Sequence, residues 1–187
     1  INLTIKKNSA VAFVGETGAG KSTLIDIILG LHYPSKGEII LDGINLKNGK
    51  YVDWRSVIGY VPQDIYLSDD SIKNNIAFMS LDDDISENDV IEAAKVASIH
   101  DFIMSLPDKY NTKVGERGVR LSGGQKQRIG IARALYHKPE VLVLDEATSA
   151  MDSITEKNVM EAIGSLKNKK TIIMIAHRIT TIQNCDL

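Results

Sequence analysis

The sequence predicts an α/β fold with a mainly parallel sheet and an inserted helical subdomain. Between residues 64 and 135 the chain has helical spacing and no convincing buried strand. The 187 residues therefore divide into a first core part at 1–63, a helical insertion at 64–135 and a second core part at 136–187. Short apolar runs with the continuous hydrophobicity of strands buried on both faces of a parallel sheet lie at residues 10–14, 57–61, 141–144 and 171–176.

Helix starts support this division. Helices are predicted to begin near residues 87, 123 and 154, and further helical segments are expected at 21–29, 71–78 and 101–106. Three serines are followed, at the three-residue offset of a capping box, by an acidic or amide residue: Ser86 by Asp89, Ser122 by Gln125 and Ser153 by Glu156.

Charge and composition narrow the class of protein. The 22 Lys and Arg residues do not exceed the 24 Asp and Glu residues, so nucleic acid is not an expected partner. Cys185 is the only cysteine, which excludes an internal disulfide or a Cys-based zinc site and favours a reducing compartment. The sequence starts at Ile1 without a leader and stops without a closing signal, so we interpret it as part of a longer polypeptide.

The first candidate site is a glycine-rich loop. Residues 15–22, GETGAGKS, match G-x-x-x-x-G-K-[ST] between a predicted strand and a predicted helix. Glycines let successive N–H groups face a phosphate, and the helix N-terminus adds partial positive charge. A plain glycine turn is the alternative, but both flanks favour a P-loop NTPase core. The candidate nucleotide-binding residues here are Gly15, Glu16, Thr17, Gly18, Ala19, Gly20, Lys21, Ser22 and Thr23.

Two adjacent carboxylates end the strand predicted at 141–144. Neighbouring strand side chains point to opposite faces, so Asp145 can join a Mg²⁺ shell while Glu146 acts as a general base. The alternative is a pair of acidic residues that stabilises a helix N-terminus. The presence of the phosphate-binding loop in the same chain favours the catalytic interpretation over this alternative.

Other polar residues follow the remaining predicted strands. Gln63 comes after the run at 57–61, and His177 comes after the run at 171–176. Ligands of open parallel sheets bind outside the carboxyl ends of the strands, so both should line the same edge as the loop. Either residue alone is more often a surface or packing residue. Their shared placement favours a common site.

A second glycine-rich helix start lies at residues 121–125, LSGGQ. A serine hydroxyl and exposed N–H groups can contact phosphate there, but no lysine accompanies them. A merely capped helix is the alternative. An incomplete second anion site suggests a nucleotide shared between two copies or two homologous halves. The candidate residues of this site are Ser122, Gly123, Gly124 and Gln125.

Taken in order, these motifs resemble the ATP-binding cassette (ABC) ATPase domain over essentially the whole chain. The LSGGQ pentapeptide is that family's signature. The resemblance implies ATP and Mg²⁺ as cofactors, with Glu146, His177 and Gln63 catalytic and with Ser22, Gln63 and Asp145 organising the metal. It also implies a head-to-tail dimer in which each ATP lies between one glycine loop and the partner's LSGGQ segment.

Within the family, the sequence is similar to the exporter branch. Residues 112–118, TKVGERG, resemble the exporters' TEVGERG segment, with Lys113 in place of the usual acidic residue. Met151 stands where the family usually has Leu. The resemblance implies a transmembrane domain fused at the N-terminal side, a position at the cytoplasmic face of a plasma or inner membrane, and ATP hydrolysis that powers transport. A separately encoded importer ATPase and an ATP-dependent dimerising module without transport are the alternatives.

Overall fold

The computed structural model describes residues 1–46, 51–78, 85–176 and 185–187. Its strands are β1 (Ala10–Phe13), β2 (Ile40–Leu41), β3 (Ile44–Asn45), β4 (Ile58–Val61), β5 (Val141–Asp145) and β6 (Thr171–Ile175). Its helices are α1 (Lys21–Ile28), α2 (Tyr51–Ser56), α3 (Ile72–Ile76), α4 (Glu87–Val96), α5 (His100–Ser105), α6 (Gly123–Tyr136) and α7 (Ser153–Gly164).

The main sheet is parallel, with strand order β1-β6-β5-β4. Phe13, Ile175 and Asp145 lie in one row of the register, and Val61 lies opposite Leu144. All four carboxyl ends therefore meet at one edge, as the sequence predicts. The four predicted strands are confirmed, with boundaries that differ by at most one residue.

Alternate residues of the central strands belong to two hydrophobic cores, one on each face of the sheet. One face packs against helices of the segment between β4 and β5 and against α7, while the other packs against Ile25 and Leu29 of the α1 region and Trp54 of α2. The first face carries Leu142, Leu144, Ile172 and Met174, and the second carries Val141, Val143, Ile173 and Ile175. Burial on both faces explains why these strands read as continuous apolar runs.

The segment between β4 and β5 is helical in its described part. It contains α3 to α6 and two 3₁₀ turns, Lys109–Asn111 and Glu116–Gly118, and its one described β contact is an isolated bridge between Ser71 and Lys113. This segment shares a core with the sheet. The proposed boundaries of the insertion, 64 and 135, stay a prediction.

The close approach of α6 to β4 depends on Gly59. A Cβ at this position would overlap the backbone oxygen of Ala134 and come within 2.8 Å of Pro139 Cγ. The main chains of the two elements are therefore in direct contact at this glycine.

Two of the three predicted helix starts are confirmed, and one is displaced. Ser86 and Ser122 are N-caps, and Ser122 forms the full capping box with Gln125. The N-cap of α7 is Asp152 rather than Ser153, because the Asp152 carboxylate accepts from two amides, Ile154 N at 3.2 Å and Thr155 N at 3.0 Å.

The strand pair β2–β3 was not predicted from the sequence, nor was α2. The two strands pair antiparallel, and the turn between them has positive φ at both Asp42 (48°) and Gly43 (80°). Two-residue strands are too short to show periodicity, although the Asp-Gly dipeptide is a hairpin signal.

The outer side of β1 pairs with the end of the chain. Asp186 N donates to Ala10 O at 2.7 Å, and Ala12 N donates to Leu187 O at 2.9 Å. The Asp186 carboxylate accepts from Ala10 N at 2.9 Å and forms an ion pair with Lys167 at 2.8 Å. In the described segments, no helix has the length and apolar character that crossing a membrane requires.

Candidate functional site

The glycine-rich loop connects β1 to α1. Gly18 and Gly20 have φ of 84° and 89°, which only glycine adopts readily, and Gly20 is the N-cap of α1. Lys21 Nζ donates to Gly15 O at 2.8 Å and to Glu16 O at 2.9 Å, so the ammonium lies against the loop's own carbonyls. The loop thus presents a cation at a helix N-terminus, an arrangement that suits a bound phosphate.

This loop forms one wall of a pocket of about 550 Å³. The lining of the pocket also includes Gln63, which follows β4, and Glu146, which follows β5. The structure therefore brings together residues separated by more than 120 positions, at the strand edge where the sequence places them. The loop residues that line the pocket are Thr17, Gly18, Gly20, Lys21, Ser22 and Thr23.

Gln63 and Glu146 are in contact. Gln63 Nε2 donates to Glu146 Oε2 at 3.3 Å. Glu146 has φ of 49°, a left-handed conformation that costs a residue with a Cβ on the order of 1–2 kcal/mol. Its amide donates to Ile175 O at 3.3 Å, and its carbonyl accepts from Ser149 N at 3.1 Å. A sharp turn therefore follows β5 directly and directs the Glu146 carboxylate toward Gln63.

Asp145, the last residue of β5 and the neighbour of Glu146, is buried, with 8% of its surface exposed. Burial raises the pKa of this carboxyl, and the charges of Glu146 and Asp26 raise it further, while Lys21 lowers it. Its Oδ1 atom is buried without a hydrogen-bond partner among the described residues. A buried carboxylate oxygen without a partner is unfavourable unless a cation neutralises it.

These residues fit Mg²⁺. The Oδ1 atom of Asp145 is an oxygen ligand of the kind that Mg²⁺ prefers, and Ser22 and Gln63 bring a hydroxyl and an amide to the pocket that Glu146, the next residue, also lines. Among the described residues, no cluster of three His, Cys, Asp or Glu side chains could hold a metal ion. In proteins Mg²⁺ usually binds through one or two carboxylates together with substrate phosphates and water.

Sequence reasoning missed two residues near Asp145. The Tyr60 hydroxyl, on β4, has a pKa raised to about 12 by burial and by the charges of Asp145 and Asp26. Asp26 lies four residues after Ser22 on α1, and that spacing places both on one helix face. The spacing is visible in the sequence, whereas the approach of Tyr60 depends on strand pairing.

The LSGGQ segment lies apart from the residues that line the pocket. Its first turn is closed on itself, because Ser122 N donates to Gln125 Oε1 at 2.8 Å and Gln125 N donates to Ser122 Oγ at 3.3 Å. Ser122 and Gly123 are exposed. Within one chain this segment is a capped helix start with a free outer surface.

His177 lies outside the described residues, so its predicted role stays a prediction. Ala176, which precedes it, is buried, and its amide donates to Phe13 O at 3.3 Å. This contact ties the end of β6 to the end of β1, from which the glycine loop departs.

A parallel sheet with a G-x-x-x-x-G-K-S loop between β1 and α1, and with a buried aspartate at the end of β5, defines a P-loop nucleotide-binding protein. Residues 1–149 match the family model described as ABC transporter. The chain belongs to that family, which confirms the family predicted from the LSGGQ segment and its companion motifs.

The similar proteins are exporters by name. Two relatives, from Staphylococcus aureus strains NCTC 8325 / PS 47 and COL, are named as multidrug export ATP-binding/permease proteins; each is 47% identical over 186 residues. A solved structure of a bacterial Atm1-family ABC exporter with ATP bound has a TM-score of 0.90 and 43% identity, and the match covers 97% of this chain. The chain spans 32% of the length of these relatives and of that structure.

Proposed function

We propose that this chain is the ATP-binding and ATP-hydrolysing part of an exporter-type ABC transporter. The observation that carries the proposal is the pocket that the Lys21 loop forms with Gln63 and Glu146, next in sequence to the buried Asp145. The cation and the helix N-terminus of the loop suit a triphosphate, and the Glu146 carboxylate in the same pocket suits the activation of water. The exporter names of the similar proteins support the transport function.

In this proposal the glycine loop holds the triphosphate. Backbone N–H groups and the N-terminus of α1 bind the phosphate oxygens, and the Lys21 ammonium exchanges its loop carbonyls for the β- and γ-phosphates. Ser22, Asp145 and Gln63 would hold Mg²⁺, which would supply positive charge to the triphosphate.

Glu146 acts as the general base. Its carboxylate is exposed to the pocket and accepts a proton from the attacking water, whereas the buried Asp145 is assigned to the metal. The hydrogen bond from Gln63 orients the Glu146 carboxylate in the pocket. His177 is assigned to contact the γ-phosphate, as the family resemblance implies.

The assembly is also part of the proposal. The free outer surface of the LSGGQ turn suits a phosphate of a second copy, so each ATP lies between one loop and the partner's residues 122–125. The chain spans about a third of its relatives, which are named as ATP-binding/permease proteins. We therefore assign it to the cytoplasmic face of a membrane, with a permease part fused at its N-terminal side.

The substitution Glu146→Gln tests the proposal. It keeps the size of the side chain and removes the base, so hydrolysis should fall by about 10²- to 10⁴-fold while ATP binding persists. Phosphate release and equilibrium binding of MgATP are measured on the intact polypeptide that contains this chain. Glu161→Gln, which changes an exposed helix residue 3.8 Å from Lys157, is the matched control and should leave both unchanged.

Three outcomes separate the alternatives. A wild-type rate of ATP hydrolysis in the Glu146→Gln variant would contradict the assignment of Glu146 as the general base. ATP binding without phosphate release in the wild-type protein would favour the dimerising module. An open reading frame that encodes the ATPase alone would favour the importer arrangement over a fused exporter.

A further inference from the structure

Gln127 is a buried amide one turn into α6 whose hydrogen bonds leave the helix. It is 4% exposed, and polar side chains this buried are retained where their hydrogen bonds are satisfied. Its Nε2 donates to Ser149 Oγ at 3.0 Å, and its Oε1 accepts from Ala150 N at 3.0 Å. Both ends of the amide are therefore bound to one segment, the turn that follows Glu146.

That turn is packed against the first residues of α6. A Cβ on Gly124 would lie 3.2 Å from Ala150 O, and a Cβ on Gly123 would lie 3.1 Å from Ala150 Cβ. The turn thus contacts α6 at two places, at Gly123 and Gly124 in its first turn and at Gln127 one turn further on. The contact is close enough for the position of α6 to determine the position of the turn.

This turn restrains the backbone conformation of Glu146. Ser149 N donates to Glu146 O at 3.1 Å, so the residue that Gln127 holds also closes the turn on Glu146. Glu146 has φ of 49°, and a left-handed conformation persists only where the surrounding structure imposes it. Gln127 is one of the groups that restrain the far side of this turn.

We propose that Gln127 is a positioning residue for hydrolysis: it clamps the turn at residues 149–150 to α6 and thereby holds Glu146 in the orientation from which it accepts a proton. This inference rests on the proposed function, since it assigns Gln127 to the same reaction. Gln127 contacts neither the glycine loop nor the pocket, so it acts on the catalytic step and not on the affinity for nucleotide.

The test compares three variants of the intact polypeptide. Gln127→Met keeps the length of the side chain and removes both hydrogen bonds, so kcat should fall about tenfold while KM for MgATP stays within about twofold. Ser149→Ala, at an exposed residue, removes only the bond to Nε2 and should lower kcat about threefold. In the Gln127→Met background, Ser149→Ala should add nothing, because the shared contact is already gone.

Two controls report on folding. The thermal unfolding midpoint of each variant should stay close to the wild-type value. Amide hydrogen exchange should accelerate in the peptide covering residues 147–152 and stay unchanged in the C-terminal half of α7. Local loosening with an intact fold is the expected signature of a clamp.

The inference is overturned if Gln127→Met keeps the wild-type kcat, if kcat falls only in proportion to lost thermal stability, or if the two substitutions add fully. Each of these outcomes is measured against a wild-type protein that releases phosphate. They would therefore contradict the role of Gln127 without contradicting the proposed ATPase function. A wild-type protein that binds MgATP without hydrolysing it overturns the proposed function and this inference together.

Discussion

Adjacent carboxylates at the end of β5 have opposite environments. Asp145 is buried among other negative charges, and its pKa is raised by burial first and by Glu146 and Asp26 next. Glu146 is partly exposed, lines the pocket and accepts a hydrogen bond from Gln63. The neighbouring residues thus differ in solvent access, and this difference underlies their separate assignments to metal and to water.

The raised pKa of Asp145 makes the nucleotide-free protein less stable at neutral pH. A carboxyl whose pKa is higher in the folded state binds its proton more tightly there, so the free energy of unfolding falls as pH rises from about 3.9, the unfolded value, through the folded pKa. The substitution Asp145→Asn removes the ionisable group and with it this fall in the free energy of unfolding. The variant should therefore melt at a higher temperature than wild type at pH 7.5, with the difference shrinking toward pH 4.

Thermal unfolding in EDTA at both pH values measures this effect. Asp186→Asn is the contrasting variant, because hydrogen bonding to Lys167 and Ala10 lowers the pKa of Asp186 and its charged form stabilises the fold. An Asp145→Asn protein that melts below wild type at pH 7.5 would contradict the prediction. The same variant should lose Mg²⁺-dependent hydrolysis, which separates stability from function.

Among the elements, helix α6 contacts both β4 and the turn that follows β5. Gly59 of β4 allows that strand to lie directly against α6, and Gly130 of α6 leaves room for Ile65, which follows Gln63 by two residues. Gln127 of α6 contacts the turn after Glu146. A Cβ on Gly130 would come within 2.9 Å of Ile65 Cγ1. The spacing between the ends of β4 and β5 therefore depends on close contacts along one helix.

The substitution Gly59→Ala tests this packing. The added methyl would overlap Ala134 O and approach Pro139, so α6 must move away from β4, at a cost of about 1–3 kcal/mol or more. Gly164→Ala is the matched control, since a Cβ at this position, at the end of α7, would meet no atom within 4 Å beyond its chain neighbours and the adjacent backbone of its own helix. The Gly164→Ala substitution should raise the free energy of unfolding by about 0.5–1 kcal/mol, because alanine has the higher helix propensity. Urea unfolding measures both, and equal stabilities would contradict the assigned contact.

In the molecule taken as a whole, the nucleotide pocket and the LSGGQ turn are separate surfaces, since the residues that line the pocket come from the glycine loop, Gln63 and Glu146, while Ser122 and Gly123 are exposed elsewhere. A nucleotide that bridges two copies would favour a closed pair only while its γ-phosphate is intact, because the pair is held by the difference in affinity between the two states. Under the proposed function, hydrolysis would then return the pair to the open state.

A dimer that depends on intact ATP is therefore expected. In the Glu146→Gln variant, MgATP should shift the purified ATPase region from monomer to dimer in light scattering, and ADP should not. Lys21→Ala in the same background should abolish the shift, because the loop loses its phosphate-binding cation. A monomer at every nucleotide concentration would contradict the head-to-tail assembly.

Much of this architecture is readable from the sequence for a physical reason. Strands buried on both faces are apolar throughout, so β5 and β6, which are buried at every residue, can be predicted from the sequence alone. The half-buried β1 and β4 also lie in short apolar runs. Strand ends then predict that Gln63 and Glu146 join the loop. The features that sequence reasoning misses depend on tertiary contacts or small energy differences: the short β2–β3 pair, the placement of Tyr60 beside Asp145, and the choice of Asp152 over Ser153 as a cap.

The pairing of Asp186 and Leu187 with β1 has a consequence for handling the protein. Through it, the amides of Ala10 and Ala12 are occupied on the side facing away from β6. A shortened version ending before Cys185 would offer that unsatisfied edge to a neighbouring molecule, and bare strand edges template intermolecular pairing. Such versions should precipitate at concentrations where the longer chain stays dispersed.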